Sequence, residues 1–207
     1  MEARNLLTAR DMLSDNNWLL TTLNGEPRYE KPPLPTWIVA FFAWLFNTEN
    51  LSILRLPSAI ISTGLVISVY HLVKSLAKDK NQALIAGLVL ATSFYVVFAS
   101  RQATWDIFTH GFMLFAIYGF FRSLTTNNHR YTYTIISGIC IGLSILSKGP
   151  VALYALFLPF ILAYLYVYRC KGVRLKSLLL LAALSLCIGL SWYVYVYIYD
   201  AETLSAI

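Results

Sequence analysis

Six long apolar runs dominate the chain, at roughly 51–73, 82–100, 107–121, 132–147, 150–168 and 177–199. They are too long for buried core strands, and a membrane crossing takes about 20 apolar residues. The shorter runs draw on flanking residues to complete a span. Of 207 residues, 58% are hydrophobic and 13% charged. A soluble domain carries about 25% charged residues, so a soluble fold is excluded. The expectation is an all-α, polytopic transmembrane helical bundle of six crossings with juxtamembrane helices.

Lysine and arginine set the orientation. Lys74, Lys78 and Lys80 fall between the first and second runs. Arg122 and Arg130 fall between the third and fourth, and Arg169, Lys171, Arg174 and Lys176 between the fifth and sixth. These alternate connections share one side, the cytoplasm. The other side holds the N-terminal segment, 101–106, 147–150 and 199–207, with every acidic residue except Asp79. The net charge of +6 is accounted for by these loops, so nucleic acid is not needed as a partner. Cys140, Cys170 and Cys187 have neither metal nor disulfide spacing.

Before the first run lies a polar region, so the chain divides into 1–50, an outer-side loop with interfacial helices, and 51–207, the membrane region. Leu6, Leu7, Ala9, Met12 and Leu13 recur at helical spacing, which predicts a short amphipathic helix ended by Asp15-Asn16-Asn17. Asn24-Gly25 predicts a turn. Residues 37–46 are apolar but too few to span, which predicts a juxtamembrane or re-entrant helix. Between these lies Arg28-Tyr29-Glu30-Lys31-Pro32-Pro33-Leu34-Pro35-Thr36-Trp37. Prolines fix φ and lack a donor, so Pro32, Pro33 and Pro35 are expected outside any helix, with Lys31 and Leu34 extended.

Basic residues on the outer side need a reason other than topology. Glu2/Arg4, Glu30/Lys31, Arg55, Arg101/Asp106 and Lys148 come from separate parts of the chain to one membrane depth. Such a set suits sugar transfer from a lipid phosphate. Lys or Arg stabilises the departing phosphate, and a carboxylate takes the acceptor's proton. Each residue also has a structural alternative. Glu30–Lys31 makes an exposed ion pair, Asp106 caps a helix, and Lys148 reaches head groups.

Glu2-Ala3-Arg4, Ala9-Arg10-Asp11-Met12, Trp18-Leu19, Leu23-Asn24-Gly25-Glu26 and Glu30-Lys31-Pro32-Pro33-Leu34 resemble the first periplasmic loop of glycosyltransferase family 39. These are GT-C enzymes related to protein O-mannosyltransferases and lipid A aminoarabinose transferases. Arg55-Leu56-Pro57-Ser58, Trp105-Asp106 and Ser147-Lys148-Gly149-Pro150 continue the resemblance in order. It implies inverting transfer from a polyprenyl-phosphate sugar donor to a lipid or protein acceptor, on the outer face of a bacterial inner membrane. It assigns Asp106 and Glu2 as catalytic carboxylates. Arg4, Tyr29, Glu30, Lys31, Arg55 and Lys148 become substrate-binding residues, with Lys31 on the donor phosphate. Glu30 orders the loop, or helps hold a divalent metal in members that have one. Family members carry an Asp where this chain has Met1, and a preceding transmembrane helix. The sequence therefore reads as an internal piece of the catalytic membrane domain. The competing reading is a membrane protein without catalysis, binding polyprenyl phosphate or acting as a transporter. Transport predicts midplane charges and repeat symmetry, and neither is evident.

Overall fold

The computed structural model describes residues 2–169 and 172–205. Met1, Cys170 and Lys171, named above, lie outside them. Helix α1 (Glu2–Ser14) opens the chain and stops before Asp15, as the apolar spacing predicts. A short hairpin, β1 (Thr22–Leu23) and β2 (Glu26–Pro27), follows, with Thr22 opposite Pro27 and Leu23 opposite Glu26. Asn24 and Gly25 both have positive φ, 55° and 84°. That is the two-residue turn whose twist matches antiparallel strands. These four strand residues are the only departure from an all-helical chain among the described residues.

Helix α2 (Leu34–Phe46) begins earlier than the prolines suggest. Pro35 lies in its first turn and Leu34 is helical, not extended. The first turn of a helix has no intrahelical use for its N–H groups, so proline is tolerated there. Five helices and a broken pair then correspond to the six apolar runs in order. Helix α3 (Leu51–Ala77) is capped by Asn50, whose side chain accepts from the Ser52 N–H. Helices α4 (Lys80–Thr92) and α5 (Phe94–Ser100) are one apolar run broken by a 61° bend at Ser93. Helix α6 (Trp105–Thr125) and helix α7 (Arg130–Lys148) are joined by a short connection. A π-helical turn (Leu153–Phe157) leads into α8 (Leu158–Tyr168). Helix α9 (Leu175–Tyr199) and the short α10 (Ala201–Ser205) complete the described chain.

Among the described residues, α3, α6 and α9 are each long and apolar enough to cross a membrane, and the α4–α5 pair makes a fourth if counted as one bent span. The chain is a multi-pass membrane protein. Helix α7 is less apolar because its polar side chains face other helices. Ser137 donates to the Ala116 carbonyl at 2.7 Å and Ser144 to the Thr109 carbonyl at 2.8 Å. Small residues bring helices closer still, since lipid tails offer no hydrophobic drive for helix association. A Cβ on Gly142 would stand 2.7 Å from the Ile188 Cβ, and one on Gly189 would stand 2.9 Å from the Ile145 Cβ. Thus α7 is seated between α6 and α9. Antiparallel α6 and α7 bring the start of the one and the end of the other to the same level.

Candidate active site

The segment 103–106, where the chain leaves the α5–α6 connection and enters α6, gathers the outer residues. The Ala103 N–H donates to the Glu2 carboxylate at 2.9 Å, and the Ala103 carbonyl accepts from the Asn5 side chain at 2.7 Å. Asn5 is fully buried and its oxygen accepts from the Thr36 hydroxyl at 2.6 Å, which ties α1 to α2. Next comes Trp105, only 3% exposed. Lys31 Nζ lies 4.6 Å from its ring centroid and Arg28 Cζ lies 5.2 Å away. One indole therefore carries two cations, each contact worth roughly 0.5–2 kcal/mol. Asp106 follows, in the first turn of α6, and forms an ion pair with Lys148 at the end of α7. Tyr95 of α5 also interacts with Asp106.

The loop carrying Lys31 is braced from several sides. Arg28 donates to the Thr8 hydroxyl at 2.8 Å and to the Arg4 carbonyl at 3.1 Å. The Arg28 N–H bonds the Thr21 carbonyl at 2.7 Å, and the Thr21 hydroxyl returns a bond to the Arg28 carbonyl. The Trp37 indole donates to the Trp18 carbonyl at 2.5 Å. Proline supplies the stiffness the sequence suggests, and this network supplies the position.

The electrostatics are those of a cation-rich site. Burial, then the neighbouring Lys148, holds the Lys31 ammonium below its usual pKa, against the opposing pull of Asp106 and Glu30. Burial likewise lowers Arg28, with Glu30 opposing and Arg4 adding to the effect. Around Lys31 and Arg28 the charges that act on them are the cations Arg4 and Lys148 and the acids Glu30 and Asp106. This excess of positive charge suits a phosphate. Among the described residues no three His, Cys, Asp or Glu side chains come together as a metal site. Glu30, exposed in the loop, would bring a single carboxylate, so the residues present do not fit a metal.

Three of the expected site residues are placed otherwise. Both Glu2 oxygens are taken by Arg55, at 2.7 and 2.8 Å. Burial opposes ionisation of Glu2, but the Arg55 guanidinium and the Ala103 N–H together hold its carboxyl below the ordinary range. A carboxylate so engaged anchors α1 to α3, with Arg55 as its partner. Tyr29 is 4% exposed, meets Trp192 edge-on, and donates to Asp200 at 2.9 Å. Burial and Asp200 push its phenol up to about 12. It fastens the loop to the end of α9. Lys31, Asp106 and Lys148 do come together. Arg28 and the Trp105 platform are the additions. Arg28 sits in the same loop as Lys31, but its stacking depends on the hairpin that returns the chain over α6. A cavity of about 540 Å³ lies elsewhere, between α1, α2 and the start of α3, and is lined by Leu6, Leu13, Val39, Trp44 and Leu54 among others.

Apolar helices crowned at one end by a braced loop that gathers cations define a polytopic membrane protein. The chain belongs to the dolichyl-phosphate-mannose-protein mannosyltransferase family, whose sequence profile covers residues 30–193. An uncharacterised protein of Aquifex aeolicus is 26% identical over 94% of this chain and 38% of its own length. The undecaprenyl phosphate-alpha-4-amino-4-deoxy-L-arabinose arabinosyl transferase 1 of Proteus mirabilis is 28% identical, over 91% of this chain and 34% of its own. Crystal structures of ArnT from Cupriavidus metallidurans share the fold. The apo form has a TM-score of 0.80 at 23% identity, covering 97% of this chain and 38% of that one. The form bound to undecaprenyl phosphate has a TM-score of 0.81 at 22% identity, covering 97% and 37%. The chain spans little more than a third of these relatives' length.

Proposed function

We propose that this chain carries the donor-phosphate end of a membrane glycosyltransferase, moving a sugar from a polyprenyl-phosphate donor to a lipid or protein acceptor on the periplasmic face of a bacterial inner membrane. Six crossings from residue 51 onward, after an outer-side region over 1–50, would put Lys31, Asp106 and Lys148 outside. The observation that carries the proposal is the paired stacking of Lys31 and Arg28 on Trp105, next to the Asp106–Lys148 pair. The names of the arabinosyl transferase relatives and the ArnT complex with undecaprenyl phosphate support it.

In the reaction the acceptor oxygen attacks the anomeric carbon from the face opposite the phosphate. The bond from that carbon to the phosphate oxygen breaks, and polyprenyl phosphate leaves with the electron pair. Lys31, helped by Arg28 and Arg4, meets the charge that grows on the phosphate. Lys148 reinforces that field while holding Asp106. Asp106 positions the acceptor and is the carboxylate that receives its proton. Lys31→Ala and Asp106→Asn, made in a full-length relative that carries these residues, should each abolish transfer. Wild-type turnover in both variants would refute the assignment. A second reading, binding of polyprenyl phosphate without turnover, is favoured by one fact: Asp106 is already neutralised by Lys148. Polyprenyl-phosphate binding to this chain, without transfer in a parallel assay, would select it.

A further inference from the structure

The opposite end of α6 carries a second group of cations, about 26 Å from Trp105 at 1.5 Å per residue. From residue 107 to residue 199 the sequence contains no Asp or Glu. Arg122, Arg130, Arg169, Arg174 and Lys176 therefore have no acidic neighbour in their own region. Asp79, the one acid assigned to this side, uses its side chain to cap α4 at the Asn81 N–H. None of the ion pairs among the described residues lies here.

Two of these arginines are drawn inward. Arg130 is 5% exposed and donates to the Gly172 carbonyl at 2.5 Å and to the Asn127 side chain at 3.1 Å. This fastens the α8–α9 connection to the start of α7. Gly172 is pressed against the end of α6: a Cβ on it would come 2.1 Å from the Leu124 carbonyl oxygen. Arg122 lies over the Tyr133 ring at 5.3 Å. Three buried polar atoms lack a hydrogen-bond partner at this level: Arg122 Nε, Arg130 Nε and Ser177 Oγ. The register of α7 on α9, with Gly138 against Leu181 and Leu184, brings Ser177 one turn further along, to the level of Thr134 and so within about a turn of Arg130. Both guanidinium nitrogens are donors, and the hydroxyl can donate. A buried guanidinium with no counter-charge is costly, and the remedy is an anion.

We infer that this niche seats the phosphate of an anionic phospholipid, held by Arg122, Arg130 and Ser177, with Arg174 and Lys176 at its rim. The occupant is a lipid because the cations adjoin outward apolar side chains. Tyr166 is 88% exposed and Leu175 71% exposed. A phosphate carrying acyl chains satisfies both surfaces, and basic pockets between helix ends recognise such head groups.

The test is native mass spectrometry of the chain in neutral detergent, titrated with phosphatidylglycerol or phosphatidylcholine. Phosphatidylglycerol should bind about tenfold more tightly. Arg122→Gln, and separately Ser177→Ala, should reduce that preference, while Lys78→Gln, an equal loss of charge at the same end, should keep it. Excess inorganic phosphate should leave the lipid bound. Equal binding of the two lipids overturns the inference. So does a loss in Lys78→Gln as large as in Arg122→Gln, or displacement by inorganic phosphate.

Discussion

Lys148, the last residue of α7, pairs with Asp106, in the first turn of α6, although 42 positions separate them. Two helix ends that meet at one level are thereby fixed to each other. The same pair fixes the charge seen by Lys31, since Lys148 lowers and Asp106 raises its affinity for a proton.

The coupling of that pair is measurable. Both side chains are about a quarter to a third exposed, so the pair is screened and contributes roughly 1 kcal/mol. Asp106→Asn should lower the thermal midpoint by leaving Lys148 facing Lys31 alone. Adding Lys148→Gln should restore part of the loss. Strict additivity of the two losses in a double-mutant cycle would show that the pair is not coupled.

Lys31 gives a pH signature. Its pKa lies below the usual 10.5, because of burial first and Lys148 second. Anion binding needs the charged form, so affinity for polyprenyl phosphate should be greatest where Lys31 is protonated. It should begin to fall before 10.5 as the ammonium deprotonates. Lys31→Arg stays charged throughout, so its affinity should fall less than the wild type's over the same range. A flat curve for the wild type would separate Lys31 from the phosphate.

Glu2 titrates in the other direction. Its folded value lies below the ordinary 4.5, so its anchoring is fully present above 4.5 and is lost as pH falls through the depressed value. Hydrogen exchange over α1 should accelerate below that point. Glu2→Gln should show the accelerated exchange already at neutral pH, with a loss of roughly 2 kcal/mol from the charge-assisted bonds to Arg55. Unchanged exchange in Glu2→Gln would mean that α1 is held by its apolar face alone.

Helix approach can be tested at Gly111. A Cβ there would stand 2.3 Å from the Ile61 Cγ2 of α3. Gly111→Ala should cost roughly 1–3 kcal/mol through overpacking. Ile61→Ala removes the obstructing methyl, so the double variant should be more stable than the sum of the single losses predicts. Detergent thermal melts decide it.

Much of the architecture was legible because it follows from local pattern. The apolar runs mark the helices, Asp15 marks the end of α1, and Asn24-Gly25 marks the hairpin. The break at Ser93 was not legible, since the run from 82 to 100 contains no proline, and its glycine, Gly87, is helical. Ser93 instead turns its hydroxyl back to the Leu90 carbonyl at 2.9 Å, a local bond that competes with helix continuation. Within the site, topology was enough to bring Lys31, Asp106 and Lys148 to one level. It could not set helix rotation, which decides that Glu2 faces Arg55 and that Tyr29 turns inward to Asp200. Trp105 stood in the sequence as part of a pattern, with nothing to reveal two cations above its ring.

The bend between α4 and α5 has a consequence for how the chain tolerates change. Because α5 delivers residues 103–106 directly onto α1 and the loop, its phase acts as a gear setting. Removing one residue between Phe94 and Ser100 would turn everything after it by about 100° relative to what precedes. Ala103 would then be unhooked from Glu2 and Asn5, and Trp105 swung from beneath its cations, with every side chain of the site still in the sequence. Length in this short helix should therefore matter more than the identity of its lipid-facing residues.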